Sequence, residues 1–392
     1  MSATDLTYAV PTREQAVAYL HIDALAFGGD GQSDIDRLDD MGWSNMRVAL
    51  LGDEVVGGLV IFDDAQRFGG RNVRSWAIGG VAVAPQHRRR RVGRTLMLHM
   101  LAEARQADVP LSSLYASTPA FYRGFGYEPA GWTCNWTIDP QEFPLDGRDA
   151  EVRPMTEADR NAAADIHARS IAHDNGPLAR SCDAFWQRVY DEHGGERRPA
   201  YLFTFDGRPE AFVVTAKHRP GQTMWIAAAS ATPRGTRAVG AFLHRFGPVV
   251  GKVQWLGGPA DPLRLLVADD DARMTAGPEP WLLRLADVPA ALQARGYPPI
   301  HAELHLDVGD AAMSANAGRC VLSLRGGAPT VQPGGSGRIR LDVRALAAIY
   351  TGYASPRQMQ AADLLNAPAD ADDLPMLTAA FAGPTPYMVD KF

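Results

Sequence analysis

The 392-residue chain has only three cysteines, Cys134, Cys182 and Cys320, too few and too scattered for a disulfide framework or a structural zinc site. Its ten histidines include no HExxH pair. His301 and His305 are four apart, but HAELHLDV alternates like a strand, so the two share no helix face and a metal enzyme is not indicated. No run approaches the ~18–20 apolar residues of a membrane helix. The opening MSATDLTYAVPTREQ has no basic region leading into an apolar core, so no signal peptide is expected, and the chain reads as cytoplasmic. Lysine is nearly missing: of 39 cations, only Lys217, Lys252 and Lys391 are lysines. A net charge of −6 argues against a protein that coats nucleic acid, which needs a broad basic surface. GxxxxGK[ST] and GxGxxG are both missing, which excludes a Walker loop and leaves a dinucleotide fold poorly supported.

What remains is an ordinary globular balance, 46% hydrophobic and 21% charged, long enough for several domains at ~100–200 residues each. Residues 12–27 carry helical apolar spacing (Ala16, Leu20, Ala24, Phe27) and stop at Gly28-Gly29. RVALLGDEVVGGLVIF predicts two strands around Gly52-Asp53. VRSWAIGGVAVA, residues 73–84, predicts a strand that Gly79-Gly80 bulges or splays. An arginine cluster follows Pro85. Then come a helix over 93–106, a short strand over 112–117, a helical turn over 119–124 and the strand TCNWTIDP. DPQEFPLDGRDA reads as a linker.

The middle of the chain repeats this order with little identity. Residues 151–154 are expected to open a helix, 200–216 form a hairpin turning at Asp206-Gly207, and 224–243 form a strand, a proline turn and a helix. Only Arg234 and Gly235 stand where the first unit has its basic turn, so the second copy reads as a scaffold without a ligand loop. From about Trp281 a third unit begins: a helix capped by Asp287, with Pro289 in its first turn and Gly296 as its stop. Strands AELHLDV, CVLSLRGG and RIRLDV follow, then two helical stretches. The tail PTPYMVDKF is too apolar to be a frayed end.

The most informative stretch is VAVAPQHRRRRVGRTLMLHM, residues 81–100. A strand enters a turn dense in backbone N–H groups and cations, and a helix starts. A helix N-terminus carries a partial positive charge and free N–H groups, so it receives phosphate. Gly93 allows close approach of backbone, and the arginines supply charge-assisted hydrogen bonds. The bland reading is a solvated charge run. It leaves unexplained why the run occupies the single turn between an apolar strand and an apolar helix.

Val83-x-Pro85-x-x-Arg88-Arg89-Arg90-Arg91-Val92-Gly93 resembles motif A of the GNAT acetyltransferases, in which R/Q-x-x-G-x-G/A binds the pyrophosphate of acetyl-coenzyme A. Arg91 stands where the motif has its first glycine. Phe121-Tyr122-Arg123-Gly124-Phe125-Gly126-Tyr127 resembles the downstream F-Y-x-x-F-G-[YF] motif. VPAALQARGY, the terminal Phe and the three-part layout are similar to the Eis (enhanced intracellular survival) branch, and the resemblance covers essentially the whole chain. It implies an α/β (α+β) fold with tandem GNAT domains, an active one at 1–146 and a degenerate one at 150–283. A sterol-carrier-protein-like domain would occupy 284–392.

The resemblance further implies an acetyl-CoA-dependent N-acetyltransferase that uses no metal. By position, the backbone of Val81, Ala82 and Val83 would hold the pantetheine arm. Arg88, Arg89, Arg90, Arg91, Val92, Gly93 and Arg94 would hold the pyrophosphate, with Ser117 and Thr118 beside the coenzyme. Tyr122 matches the tyrosine that protonates the leaving thiolate; on its own residues it reads more readily as a core aromatic on a helical turn, and Tyr127 is a neighbouring rival. The α-carboxylate of Phe392 matches the family base. Its intrinsic pKa of ~3.3–3.7 makes it a weak base unless burial in a docked tail raises that value. The implied acceptor is a primary amine on an aminoglycoside-like polyamine, attracted by Asp30, Asp34, Asp36 and Asp390. A protein lysine, a small metabolite amine and a dead lipid-binding protein are the alternatives. Lys391 stands where an acidic residue would favour cationic acceptors. No nucleic-acid or membrane partner is expected, and family members are hexamers, which implies a homo-oligomer.

Overall fold

A computed structural model of the chain describes residues 6–28, 31, 32, 35, 38, 42–147, 149–181, 186, 189, 190, 197–267, 273–368 and 372–392. Asp30, Asp34, Asp36 and Cys182 lie outside the described residues.

The first unit begins with a strand that the sequence pattern did not signal, β1 (Leu6–Ala9). Helix α1 (Arg13–Phe27) follows because Thr12 and Gln15 form a reciprocal capping box and Gly28 closes it in a left-handed turn at φ +82°. Strands β2 (Met46–Leu51), β3 (Glu54–Phe68) and β4 (Arg71–Val83) form a meander. Helix α2 (Val92–Gln106), β5 (Leu111–Tyr115), the short α3 (Pro119–Arg123) and β6 (Glu128–Ile138) complete the unit.

The second unit repeats the plan with β7 (Glu151–Pro154), α4 (Arg160–Ser170), β8 (Ala200–Phe205), β9 (Arg208–Thr215) and β10 (Thr223–Ala231). Helix α5 (Pro233–His244), β11 (Lys252–Gly257), α6 (Pro262–Leu265) and the two-residue β12 (Arg273–Met274) follow. Residues 151–154 do not open a helix. They pair with β8 as an edge strand, and the helix starts six residues later. Proline is as compatible with an edge strand as with a helix's first turn, and the partner strand decides between them.

Strand β13 (Glu279–Leu285) straddles the expected boundary at 283/284 and inserts antiparallel between β5 and β6. On its far edge β6 pairs with β11. One continuous sheet therefore runs β1-β2-β3-β4-β5-β13-β6-β11-β10-β9-β8-β7.

The third unit opens with α7 (Val288–Ala294). Its five-stranded sheet has the order β16-β15-β14-β17-β18, built from β14 (His301–Gly309), β15 (Gly318–Arg325), β16 (Ala328–Pro333), β17 (Ile339–Asp342) and β18 (Leu365–Asn366). Helix α8 (Val343–Thr351) is apolar on nearly every side. It is buried along its length because it is sandwiched between this unit and strands β6 and β13. Among the described residues, no helix is long and apolar enough to cross a membrane.

Candidate active site

The site is built where β4 loses its neighbour. Strands β4 and β5 pair in parallel only from Ser75 to Ile78 against Leu111 to Leu114, and then part. On the other edge, the register of β4 against β3 slips between Gly58 and Val60, so β4 carries an extra residue. The bulge expected at Gly79-Gly80 is therefore present, with Gly80 at φ +58°. Helix α1 pins it: the Tyr19 hydroxyl donates to the Gly80 carbonyl at 2.5 Å. A Cβ on Gly80 would lie 2.8 Å from Asp23 Oδ1, so that carboxylate stands directly over the bulge. Sequence reasoning passed over Tyr19 and Asp23; their spacing of four on one helix was the available signal. Beyond the bulge, the β5-facing edge of Val81, Ala82 and Val83 has no strand partner among the described residues.

The arginine turn leads straight from this edge into α2. Arg89 and Arg91 both adopt left-handed backbone, at φ +63° and +65°. Arg91 thus holds left-handed backbone, which favours glycine, at a steric cost of roughly 1–2 kcal/mol. It is also the N-cap of α2 and offers no side-chain cap. The first helical bond runs from Thr95 N–H to the Arg91 carbonyl at 2.9 Å, so the N–H groups of Val92, Gly93 and Arg94 have no acceptor in the preceding turn. Arg88, Arg89, Arg90, Arg91 and Arg94 are exposed, and Arg94 lies 5.7 Å from the Phe125 ring centre. The Val92 side chain is core, so this residue can offer a ligand only its backbone. At Gly93 a Cβ would come within 3.1 Å of Phe121 Cζ. Ser117 and Thr118 are exposed just past the end of β5.

Tyr122 sits on α3 with its ring edge-on to Phe121 and Tyr127. Its hydroxyl makes no hydrogen bond to a described residue, and burial pushes its pKa up to about 12. The rival, Tyr127, is fully buried, and its hydroxyl is engaged by Ser112 at 2.7 Å. Of the two phenols, only that of Tyr122 has no hydrogen-bond partner among the described residues.

The chain end folds back to the bulge. Met388 donates to the Trp132 carbonyl at 3.1 Å, and Trp132 donates to that of Pro386 at 3.1 Å, so the tail lies along β6. On its other side, the Tyr387 N–H donates to the Asn175 carbonyl at 3.0 Å, and the Tyr387 hydroxyl to Asp174 at 2.7 Å. The Phe392 ring packs 5.4 Å from Tyr115 and 6.2 Å from Phe62. A Cβ on Gly79 would stand 2.8 Å from the Phe392 carboxyl carbon, so the terminal carboxyl abuts β4 at the bulge. Asp390, expected to face an acceptor, does not. It is buried on Arg180 at 3.0 Å, because a carboxylate on the inward face of a docked tail must find a cation. The Lys391 ammonium lies 3.8 Å from the Tyr115 ring centre and pairs with Glu279.

The second unit has the same splay: β10 and β11 pair only from Thr223 to Ile226 against Lys252 to Trp255. Its helix start is closed, however. The Thr232 side chain accepts the Gly235 N–H, and Arg234 is paired with Asp206. This unit keeps the strands of the site and lacks its phosphate cradle.

Residues 8–130 match the acetyltransferase (GNAT) domain family and residues 288–389 the sterol carrier protein domain family. N-acetyltransferase Eis of Mycobacterium tuberculosis is 30% identical over 363 residues, covering 86% of this chain and 85% of that protein. An uncharacterised N-acetyltransferase of Streptomyces griseus is 29% identical over 74% of this chain and 75% of its own length. The crystal structure of a GCN5-related N-acetyltransferase from Anabaena variabilis superposes over 99% of this chain and 100% of that chain, with a TM-score of 0.92 and 29% identity. Eis1 of Mycobacterium abscessus shares the fold over 99% of this chain and 100% of that chain, with a TM-score of 0.79 at 22% identity.

Proposed function

This chain belongs to the Eis family of GNAT N-acetyltransferases, and we propose that it moves the acetyl group of acetyl-coenzyme A to a primary amine of an aminoglycoside-like polyamine. One observation carries the reading: the edge of β4 that has no strand partner among the described residues runs from the bulge, where the chain-end carboxyl abuts it, to Val83, beside the open start of α2. The edge of Val81, Ala82 and Val83 suits an extended arm with two amides, which pairs with backbone as a neighbouring strand would. The first N–H groups of α2, with Arg88, Arg89, Arg90, Arg91 and Arg94, suit a diphosphate. Ser117 and Thr118, exposed just past the end of β5, would lie beside the coenzyme. Bound there, acetyl-coenzyme A supplies the thioester.

The rest of the chemistry falls to the chain. The α-carboxylate of Phe392 takes the proton of the acceptor amine. A backbone N–H near Val83 donates to the carbonyl oxygen as the C–N bond forms. Tyr122 gives its proton to sulfur as the C–S bond breaks. The phenol is protonated at neutral pH at its ordinary pKa and remains so when burial raises that value, so it holds a proton to give. Asp23 over the bulge offers a negative charge to a second ammonium of the acceptor, and Glu279 offsets Lys391 at the rim. The reading extends to a cytoplasmic homo-oligomer, six chains by family resemblance, which light scattering would check.

Free-thiol release would be followed with three acceptors in parallel: a kanamycin-like aminoglycoside, a lysine-containing peptide and a small monoamine. Fastest turnover with the aminoglycoside is expected. Faster turnover with the peptide would move the acceptor to protein lysine. No release with any amine, together with lipid retained through purification, would replace the enzyme reading with lipid binding.

A further inference from the structure

We propose that Arg180, supplied by the second unit, is a positioning residue for the terminal carboxylate: its buried ion pair with Asp390 fixes where the chain end meets β4. The inference rests on the reading of Phe392 as the base.

Residues 176–181 run beside the far half of β3 and are stitched to it on both sides of Arg180. Gly176 donates to the Arg67 carbonyl at 2.8 Å, Arg67 to that of Pro177 at 2.9 Å, and Ala179 to that of Ala65 at 2.7 Å. The Ser181 N–H donates to Asp64 Oδ1 at 3.1 Å. Between these anchors Arg180 itself is left-handed, at φ +56°. A bulky residue persists in that conformation only where its surroundings over-determine it, and such sites cluster at functional positions. Its carbonyl is also held, by Trp186 Nε1 at 3.1 Å. The guanidinium donates to Asp390 Oδ1 at 3.0 Å, with the two side chains 2% and 4% exposed.

An ion pair this deeply buried is a poor way to gain stability, because desolvation offsets its attraction. What it gives is direction. The tail is held at Met388 by Thr133, whose hydroxyl donates to the Met388 carbonyl at 2.6 Å, and at Asp390 by Arg180. Only two residues follow, a reach of at most ~7 Å. The latch therefore sets the position of the carboxyl that abuts Gly79. It also gives the second unit a role, since that unit holds no phosphate cradle of its own.

The test compares kcat and the KM for acetyl-coenzyme A, with acceptor saturating, in the full chain and five variants. These are Arg180→Met, Arg180→Lys, Asp390→Glu, the double substitution Arg180→Met with Asp390→Leu, and removal of Phe392. A displacement of ~1 Å can cost ~10²-fold in rate. Arg180→Met should therefore lower kcat about tenfold or more and leave KM within about twofold, with Arg180→Lys recovering part of the loss. Asp390→Glu keeps both charges but moves the chain end, and should lose kcat while folding. The double variant removes both halves of the pair, so neither Arg180 nor Asp390 leaves the other as an uncompensated buried charge; it should keep most of the parent's thermal stability and still show the loss of kcat. A double variant with the parent's kcat overturns the inference, as does a KM that rises in step with the loss. If removing Phe392 leaves turnover unchanged, the reading of the base fails. If turnover needs Phe392 and ignores Arg180, only the latch fails.

Discussion

Gly79→Ala tests the geometry at the bulge with one added methyl group. Gly79 does not have positive φ, so alanine is free to adopt its backbone and any effect is steric. The new Cβ would lie 2.8 Å from the Phe392 carboxyl carbon and 3.3 Å from Phe62 Cε2. Unstrained carbon atoms sit at least ~3.5 Å apart, so the chain end must retreat by about 0.7 Å. Because the obstacle is a chain terminus rather than a closed core, folding stability should fall by no more than about 1 kcal/mol. Catalysis is less forgiving, since a reacting group misplaced by ~1 Å can cost ~10²-fold. A kcat loss of about 10- to 30-fold is expected, or roughly 1.4–2 kcal/mol in the barrier. The KM for acetyl-coenzyme A should stay within about threefold, because the edge of Val81 to Val83 is untouched. Thiol-release kinetics and a thermal melt on the same preparation would measure both. A Gly79→Ala enzyme with undiminished kcat would refute the argument that the carboxyl acts from where it touches β4.

Three further outcomes follow from the same geometry. Tyr122→Phe removes a hydroxyl that makes no hydrogen bond to a described residue, so stability should change by less than about 0.5 kcal/mol while kcat falls ~10²-fold or more. Matching losses of stability and rate would make the tyrosine a packing residue. Arg91→Gly relieves a left-handed arginine. The gain of about 1–2 kcal/mol exceeds the ~0.5–1 kcal/mol entropic cost of glycine, so the melting temperature should rise slightly; a fall would show that Arg91 is held by contacts worth more than its strain. Asp261, with its pKa raised by burial to about 6, is more easily protonated folded than unfolded. Its contribution to stability is therefore present at low pH and lost as pH rises from about 4 to 6. Asp261→Asn keeps the acceptor for Trp255 and Leu263 and should stabilise the chain at pH 7 by about 1–3 kcal/mol, the gain vanishing near pH 4. Equal stabilisation at both values would contradict the assignment.

What the sequence disclosed is what local chemistry controls. The helix over 12–27 with its stop at Gly28, the bulge at Gly79-Gly80, the turn at Asp206-Gly207 and the helix following the arginines depend on residues within a few positions of each other, and their patterns predict them. Non-local pairings were not legible. Nothing in EPWLLRL says that β13 inserts between β5 and β6, since an apolar strand fits many sheets. Residues 151–154 read as a helix start until β8 supplied a partner. Asp390 read as an acceptor-facing charge because its partner lies 210 positions away on a left-handed arginine. The family motifs pointed to Arg88 through Gly93, Tyr122 and Phe392. The spacing of Tyr19 and Asp23 was a signal that they share a helix face, but their place over the bulge, like that of Arg180 beside the tail, comes from backbone that crosses them.

The central claim is that the carboxylate at the chain end removes the proton from the acceptor amine. Replacing the carboxyl of Phe392 by a carboxamide through semisynthesis preserves shape and packing and removes the base. Steady-state thiol release should then fall by ~10²-fold or more, the range of a lost general base, with coenzyme affinity and melting temperature unchanged. A carboxamide enzyme that turns over at the parent's rate would contradict it.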